Sequence, residues 1–465
     1  MRLRAPGFAA LSSLLFPMAL LAQAAPLTPY QALGRDVLSQ LISINTTHDD
    51  GNTTWAAESL AARFRAAGFP AADVQVIGPS AKNRNLVVRL RGTGAARPIL
   101  LLAHLDVVQA LRSDWSMDPF TLTEKDGFFY GRGVLDVKGG GAMLVSALLR
   151  MKREGYVPTR DVILALTAGE EAGPDYVGID WLLKNHRDLI DAEYCINVDA
   201  GGGELVQGKR RSFDVQASEK VYETFSFTVR NKGGHSSRPT TDNAIYHLAQ
   251  ALTRLAGHRF PARLNFVTRA YFQGEAALTT DPALAADMRA VSGTVTDPAA
   301  VERLSRDPIY NALLRTTCVA TRLQGGHADN ALPQLAQATV NCRLLPDDDP
   351  DQVKATLTQV VNDTAVAIAV TDSAKPSPPT QLSPELARAL DRVVRGLWGA
   401  VPIVPDMETG ATDGLYLRLA GIPTFGVSGQ FIELGDDRSH GRDERVPVGA
   451  YYEGLEFTYQ LVKTV

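Results

Sequence analysis

The sequence predicts an α/β fold interrupted by an inserted α+β unit, and three observations predict it. From about residue 85, apolar strand-like runs alternate with amphipathic helical stretches. Near residue 218 the pattern changes to alternating, half-exposed strands, and after residue 375 the first pattern returns. Apolar runs separated by helices mark a sheet covered on both faces, whereas alternation marks strands with one wet face. The expected division is 25–217 and 375–465 for the α/β domain and 218–374 for the insertion.

Each element follows from its local pattern. "NLVVRL", "PILLLAHL", "DVILALTAG" and "EYCINVDA" read as buried strands, with helices over 138–154 and 178–187. In the insertion, "YETFSFTVRNKGG" reads as a strand and 242–256 as a helix. Strands near 316–324 and 335–344 follow, then a helix over 350–361 and the strand "AVAIAV". The prolines of "TDSAKPSPPTQLSP" make an irregular crossover, since they lack a backbone donor. Helices over 384–398 and 413–420, the strand "PTFGVSG" and a helix from 448 complete the chain. The polar stretch 276–312 carries no assignment.

Composition narrows the function. A chain of 465 residues exceeds one ordinary core, and its 45% hydrophobic and 21% charged residues are those of a soluble globular protein. The net charge of −4 is spread through both signs, so no nucleic-acid partner is expected. Residues 1–24 read as a signal peptide: Arg2 and Arg4, an apolar run from Phe8 to Leu21, and small residues at a cleavage site near Ala24. Pro17 and the shortness of the run argue against a membrane anchor. The mature protein is expected to be periplasmic or secreted, without membrane association. Of three cysteines, Cys195 lies in an apolar run and reads as a buried thiol. Cys318 and Cys342 lie in strand-like runs that could be neighbours, and a bridge between them is left open.

The chemistry lies at strand ends. "PILLLA" runs into His104 and Asp106, "DVILALTAG" into Glu170 and Glu171, and "EYCINV" into Asp199. In open α/β sheets ligands bind beyond the carboxyl ends of strands, so distant residues can converge there. Any one of these acids could be a solvated turn carboxylate; their repetition at equivalent places carries the weight. In the His104-x-Asp106 pattern, the imidazole could bind a metal while the aspartate accepts its other N–H. Adjacent carboxylates such as Glu170 and Glu171 repel unless a cation or a shared proton separates them. In "GRGVLDVKGG" an aspartate stands where a dinucleotide fingerprint needs glycine, and no Gly-Lys-Ser/Thr end makes a P-loop. Asp136 therefore reads as a cation ligand presented by a tight turn, with a helix N-cap as the alternative.

The ordered set "AHLDVV", "WSMDPF", "YGRGVLDVKGG", "AGEEAG", "NVDAG", "GGHSSRP" and "SHGRDERV" resembles the M20 family of zinc aminoacylases and carboxypeptidases. The nearer likeness is to the carboxypeptidase S and N-acyl-amino-acid hydrolase branch. The resemblance implies a di-zinc exopeptidase catalytic domain with an inserted α+β lid of the dimerisation type, and hence a homodimer through the lid. It implies two Zn2+ per subunit, with Co2+ or Mn2+ as substitutes. His104 and Asp199 would hold one ion, Glu171 and His440 the other, and Asp136 would bridge them. Glu170 would be the general base and Asp106 the partner of His104. His235 would stabilise the oxyanion, commonly from the partner subunit. Arg343, Asn330 and Gly410 match substrate-binding positions, while His327 matches none.

The expected activity is cleavage of an amide or peptide bond beside a free α-carboxylate, in a dipeptide, a peptide C-terminus or an N-acyl amino acid. "GVSGQ" does not make a nucleophile elbow, and no HExxH helix occurs. A non-catalytic periplasmic peptide- or metal-binding protein on the same fold is the remaining alternative.

Overall fold

The computed structural model describes residues 26–172 and 176–465. The expected signal peptide, 1–24, lies outside the described residues. Among the described residues no helix is long and apolar enough to cross a membrane.

A ten-stranded mixed sheet forms the larger unit. At its centre the strands Val162–Thr167, Ile99–His104, Tyr194–Asn197 and Thr424–Gly426 lie side by side and parallel. Their residues are continuously apolar because both faces are covered. Leu86, Leu101, Leu164 and Ile196 face a core shared with helices Pro29–Ser43, Lys138–Arg153 and Val448–Thr464. Val87, Leu100, Ile163 and the free thiol of Cys195 face the opposite side, under helices Gly178–Asn185 and Gly414–Leu419. The two-residue periodicity of a strand makes that division automatic.

The inserted unit is a four-stranded antiparallel sheet in the order Thr317–Gly325, Leu335–Leu344, Val221–Arg230, Val366–Asp372. Helices Ala244–Gly257 and Pro350–Val361 cover one face and share its separate core. Cys318 and Cys342 are register partners on adjacent strands and form a disulfide, which resolves the pairing that the sequence leaves open.

The stretch expected to be part of one insertion, 218–374, divides. Helices Phe266–Leu278, Pro282–Ser292, Pro298–Leu304 and Pro308–Leu314 send Val267, Phe272, Met288, Leu304 and Leu313 into the core of the large sheet, not that of the small one. The unassigned segment 276–312 is thus helical and belongs by packing to the larger unit. Its apolar residues are spaced for burial by short helices, which left little periodic signal in any one of them.

Candidate metal centre

Three neighbouring parallel strands of the large sheet end at Thr167, His104 and Asn197, and the loops that leave them carry Glu170, Glu171 and Asp199. The fourth contribution comes from "GRGVLDVKGG". Helix Lys138–Arg153 starts with Gly139 and Gly140 pressed against their neighbours: an added Cβ would lie 2.1 Å from the Val134 carbonyl oxygen and 2.6 Å from Val198 Cγ2. The glycines let the turn sit tightly beside the strand that leads to Asp199. Asp136 precedes the helix but does not cap it, since the N-cap residue is Val137 and no side chain caps the end. The Asp136–Val137 peptide bond is cis.

These side chains converge. His104 Nε2 lies 3.1 Å from Asp136 Oδ1 and 3.3 Å from Asp199 Oδ1. His440 Nε2 lies 3.0 Å from Asp136 Oδ2 and 3.0 Å from Glu171 Oε1. Asp136 therefore stands between two half-sites, each with one imidazole and one further carboxylate. The donor atoms of His104, Asp136 and Asp199, and separately those of Asp136, Glu171 and His440, fall within 4.8 Å of one another. Glu170 groups with His104 and Glu171.

Electrostatics show what the cluster requires. Four carboxylates crowd together, and among the described residues no lysine or arginine forms an ion pair with any of them. Despite burial, the Asp199 and Asp136 carboxylates hold the His104 imidazole well above its ordinary pKa. Hydrogen bonds to Asp136 and Glu171 push His440 up to about 10. Burial pushes Asp199 up to about 6 and Glu170 well above the usual carboxylate range. The cluster thus draws positive charge to itself. An oxygen-rich set with two imidazoles suits zinc or a neighbouring divalent transition metal, and two such ions would balance the four acids.

Asp106 acts differently from the sequence expectation. The His104 Nδ1–H donates to the backbone carbonyl of Asp106 at 2.9 Å, while the Asp106 carboxylate stays 3.9 Å away. That carboxylate instead accepts the backbone N–H groups of Gly169 at 2.7 Å, Glu170 at 3.3 Å and Glu171 at 2.9 Å. The bend into the glutamate loop turns three donors inward, and Asp106 is the one acid placed to receive them.

Four further organisers have no role in the sequence reading. Glu444, fully buried, accepts the N–H groups of Gly133, Leu135 and Asp136 and pairs with Arg132 at 2.8 Å. Arg132 also donates to the Gly441 carbonyl at 2.8 Å, so one buried ion pair fastens the Asp136 turn to the His440 loop. Asp413, pushed up to about 7 by burial, accepts the Thr167 hydroxyl at 2.6 Å behind the strand ends. Lys138 is buried and donates to the Ile44 carbonyl at 2.8 Å, tying the turn to the N-terminal helix.

Cavities flank the cluster on two sides. One, of about 380 Å³, is lined by Glu170 and Glu171, by Arg343, Tyr222 and Lys375, and by Asp413. The Arg343 guanidinium lies over the Tyr222 ring, 4.7 Å from its centroid, and makes no ion pair with a described residue. The other, of about 370 Å³, is lined by Asp136 and Asp199 and extends along the strands Gly202–Val206 and Ile403–Glu408.

The remaining expected residues stand apart within one chain. His235 is exposed on the short ribbon made by Gly234–His235 and Ala331–Leu332, with Nδ1 held by the Ser237 hydroxyl at 2.7 Å. Asn330 lies beside it, its carbonyl accepting the Ser236 N–H at 3.0 Å. Neither lines the two cavities. Gly410 also lines neither; its N–H donates to Glu408 Oε1 at 3.1 Å, and the neighbouring Ala411, Thr412 and Asp413 line the Arg343 cavity instead. An added Cβ on Gly410 would meet only Glu408, at 3.7 Å. His327 is exposed.

Comparison with known proteins adds to this geometry. The model of peptidase family M20/M25/M40 matches residues 100–464. The human N-fatty-acyl-amino acid synthase/hydrolase PM20D1 is 28% identical over 379 residues, 79% of this chain and 74% of that protein. Probable carboxypeptidase S-like 2 of Dictyostelium discoideum is 26% identical over 392 residues, 82% of this chain and 74% of that one. The M20 family metallo-carboxypeptidase Sso-CP2 of Sulfolobus solfataricus superposes with a TM-score of 0.71 at 18% identity, over 92% of this chain and 98% of that chain.

Proposed function

This chain belongs to peptidase family M20/M25/M40 and is a hydrolase acting on C–N bonds by metal-dependent amide hydrolysis; from that premise we propose that it cleaves an amide beside a free α-carboxylate, with Glu170 as general base. The observation that carries this reading is the Arg343 cavity. A guanidinium without an internal partner faces the same space as Glu170 and Glu171, and Lys375 adds a second cation there. A substrate carboxylate would complete Arg343 with charge-assisted hydrogen bonds.

In this reading His104 and Asp199 would hold one zinc ion, Glu171 and His440 the other, and Asp136 would face both. Ions held there would supply Lewis acidity to the scissile carbonyl and to the attacking water. The chain's own groups do the rest. Asp106 fixes the loop that aims Glu170, and Glu444 with Arg132 fixes the loops that aim Asp136 and His440. Glu170, its carboxyl desolvated and without a side-chain hydrogen bond among the described residues, takes a proton from the attacking water and returns it to the leaving nitrogen. Arg343 orients the leaving amino acid by its carboxylate.

His235 enters this scheme from a second copy of the chain. The edge strand Thr317–Gly325 exposes Val319 and Leu323, and helix Ala244–Gly257 exposes Ile245 and Tyr246, an apolar surface on the inserted unit. A homodimer through this surface would carry His235 towards the neighbouring active site; a monomeric mass in solution would overturn that part. The mature protein works outside the cytoplasm in this reading, supported by the signal-like segment and by the Cys318–Cys342 bridge, a bond that persists in oxidising compartments.

The test is a panel of dipeptides and N-acyl amino acids, each with a free carboxylate and as its amide. Chelator-sensitive cleavage of the free acids, with at least about a tenfold loss on amidation, is expected. Cleavage that survives chelation, or that prefers the amides, would overturn the reading.

A further inference from the structure

An α-carboxylate needs one guanidinium, yet two cations line the Arg343 cavity. The second, Lys375, comes from the crossover that follows strand Val366–Asp372, and that crossover is anchored on both sides of it. Ala374 packs against the core of the inserted unit, Ser377 is buried, and the Thr380 N–H donates to the Ala217 carbonyl at 2.7 Å. Pro376, Pro378 and Pro379 fix the backbone between these anchors. The lysine is thus presented at a set place although its side chain is exposed.

The two cations are backed in the same way, but from different units. The Arg343 guanidinium lies 4.7 Å from the ring centroid of Tyr222, on strand Val221–Arg230 of the insertion. Lys375 Nζ donates to the hydroxyl of Tyr416 at 3.3 Å and lies 5.1 Å from its ring centroid, on helix Gly414–Leu419 of the larger unit. A neutral ring steadies a cation without cancelling its charge, so each cation keeps donors for a ligand. The acids of the same lining are engaged elsewhere or apart. Glu171 belongs to a metal half-site and Glu170 to the attacking water, Asp413 accepts the Thr167 hydroxyl, and Asp372 forms no ion pair with either cation. Val177, Val221 and Leu415 add apolar surface to the space.

In the reading above, on which this inference rests, the leaving amino acid enters this cavity with its α-carboxylate on Arg343. We propose that Lys375 receives a second carboxylate, on the side chain of that amino acid, so that the preferred substrates release aspartate or glutamate. The side-chain methylenes lie against the apolar part of the wall, and the lysine ammonium donates to the carboxylate beyond them. An uncharged side chain of the same size leaves this charge-assisted bond unmade, and a basic one meets like charge.

The experiment uses the zinc-loaded protein and one acyl group, the best of the panel above, joined to glutamate or to glutamine, which differ in charge but hardly in size. At low salt the glutamate substrate should show about a three- to tenfold advantage in kcat/KM, carried by KM and shrinking as salt screens the exposed lysine. In Lys375→Met the ratio should fall towards unity, and Lys375→Arg should restore most of it. Equal or faster cleavage of the glutamine substrate by the wild type overturns the inference. So does a wild-type preference that Lys375→Met leaves intact. An equal loss on both substrates in Lys375→Met also overturns it, because the lysine then serves the α-carboxylate. If α-amides of both substrates are cleaved as fast as the free acids, it is the Arg343 role that fails, whatever the ratio. If no member of the panel is cleaved, the hydrolase reading fails, and calorimetric titration with glutamate against glutamine decides the cavity. Tighter glutamate, lost in Lys375→Met, upholds the second carboxylate position, and equal binding removes it.

Discussion

Replacing Asp106 separates two accounts of that residue. If it served His104, its loss would release one imidazole. The structure instead gives its carboxylate three backbone donors, with Gly169 and Glu170 on Oδ1 and Glu171 on Oδ2. Asp106→Asn can keep the Oδ1 contacts but turns an amide N–H towards the Glu171 N–H. One charge-assisted bond is lost and two donors face each other, which costs about 2 kcal/mol. Asp106→Ala leaves all three donors without an acceptor in a buried loop, which costs about 3–5 kcal/mol. Urea unfolding of the chelator-treated variants should show this graded loss. On reloading with zinc, kcat should fall in the same order, because Glu170 is misplaced by the loop. Asp106→Ala unfolding within about 1 kcal/mol of wild type, with kcat unchanged, would refute the reasoning.

Three further outcomes follow from other parts of the molecule. Arg343→Met should raise KM for free-carboxylate substrates by about ten- to a hundredfold and barely change kinetics on their amides, as read by paired kcat and KM measurements. Reducing the Cys318–Cys342 bridge, or replacing both cysteines by serine, should destabilise the inserted unit by about 3 kcal/mol, given a sequence separation of 24 residues; thermal melting with and without reductant reads it. Lys220 is buried, donates to the carbonyls of Ala312 and Arg315, and is pushed down by burial to about 7 from 10.5. Its unfolded form then binds more protons than its folded form between about pH 7 and 10.5, so its contribution to stability rises with pH across that window. Denaturant unfolding of Lys220→Met should show a shallower rise there than wild type.

Much of the fold was legible because the central strands leave no alternative: "PILLLAHL" and "DVILALTAG" are too apolar for anything but burial on both faces, and each ends in acids that burial alone would not place there. The helices between 266 and 314 were missed although their starts are written in the sequence. Asp281, Asp297 and Asp307 each precede a proline, and each side chain accepts the N–H groups that open its helix. Their shortness, with buried faces of only two to four residues in Pro282–Ser292, Pro298–Leu304 and Pro308–Leu314, hid the periodicity.

In the site, strand ends pointed to His104, Glu170, Glu171 and Asp199, whereas the ion pair that fastens the Asp136 turn to the His440 loop was invisible. Glu444 and Arg132 are 312 positions apart and meet only after folding. Nothing in "SHGRDERV" distinguishes Glu444, the acid that accepts three backbone N–H groups, from the half-buried Asp443 beside it. The Asp106 expectation failed for a related reason: the spacing to His104 is right for either its carbonyl or its carboxylate, and only the bend of the glutamate loop decides between them.

The most direct test of the central claim is one experiment on Glu170→Ala: metal content by mass spectrometry alongside turnover of the best substrate. With metal ligation assigned to His104, Asp136, Glu171, Asp199 and His440, the variant should retain two zinc ions per chain while kcat falls by about two to four orders of magnitude. Near-normal kcat with zinc unchanged would contradict the account.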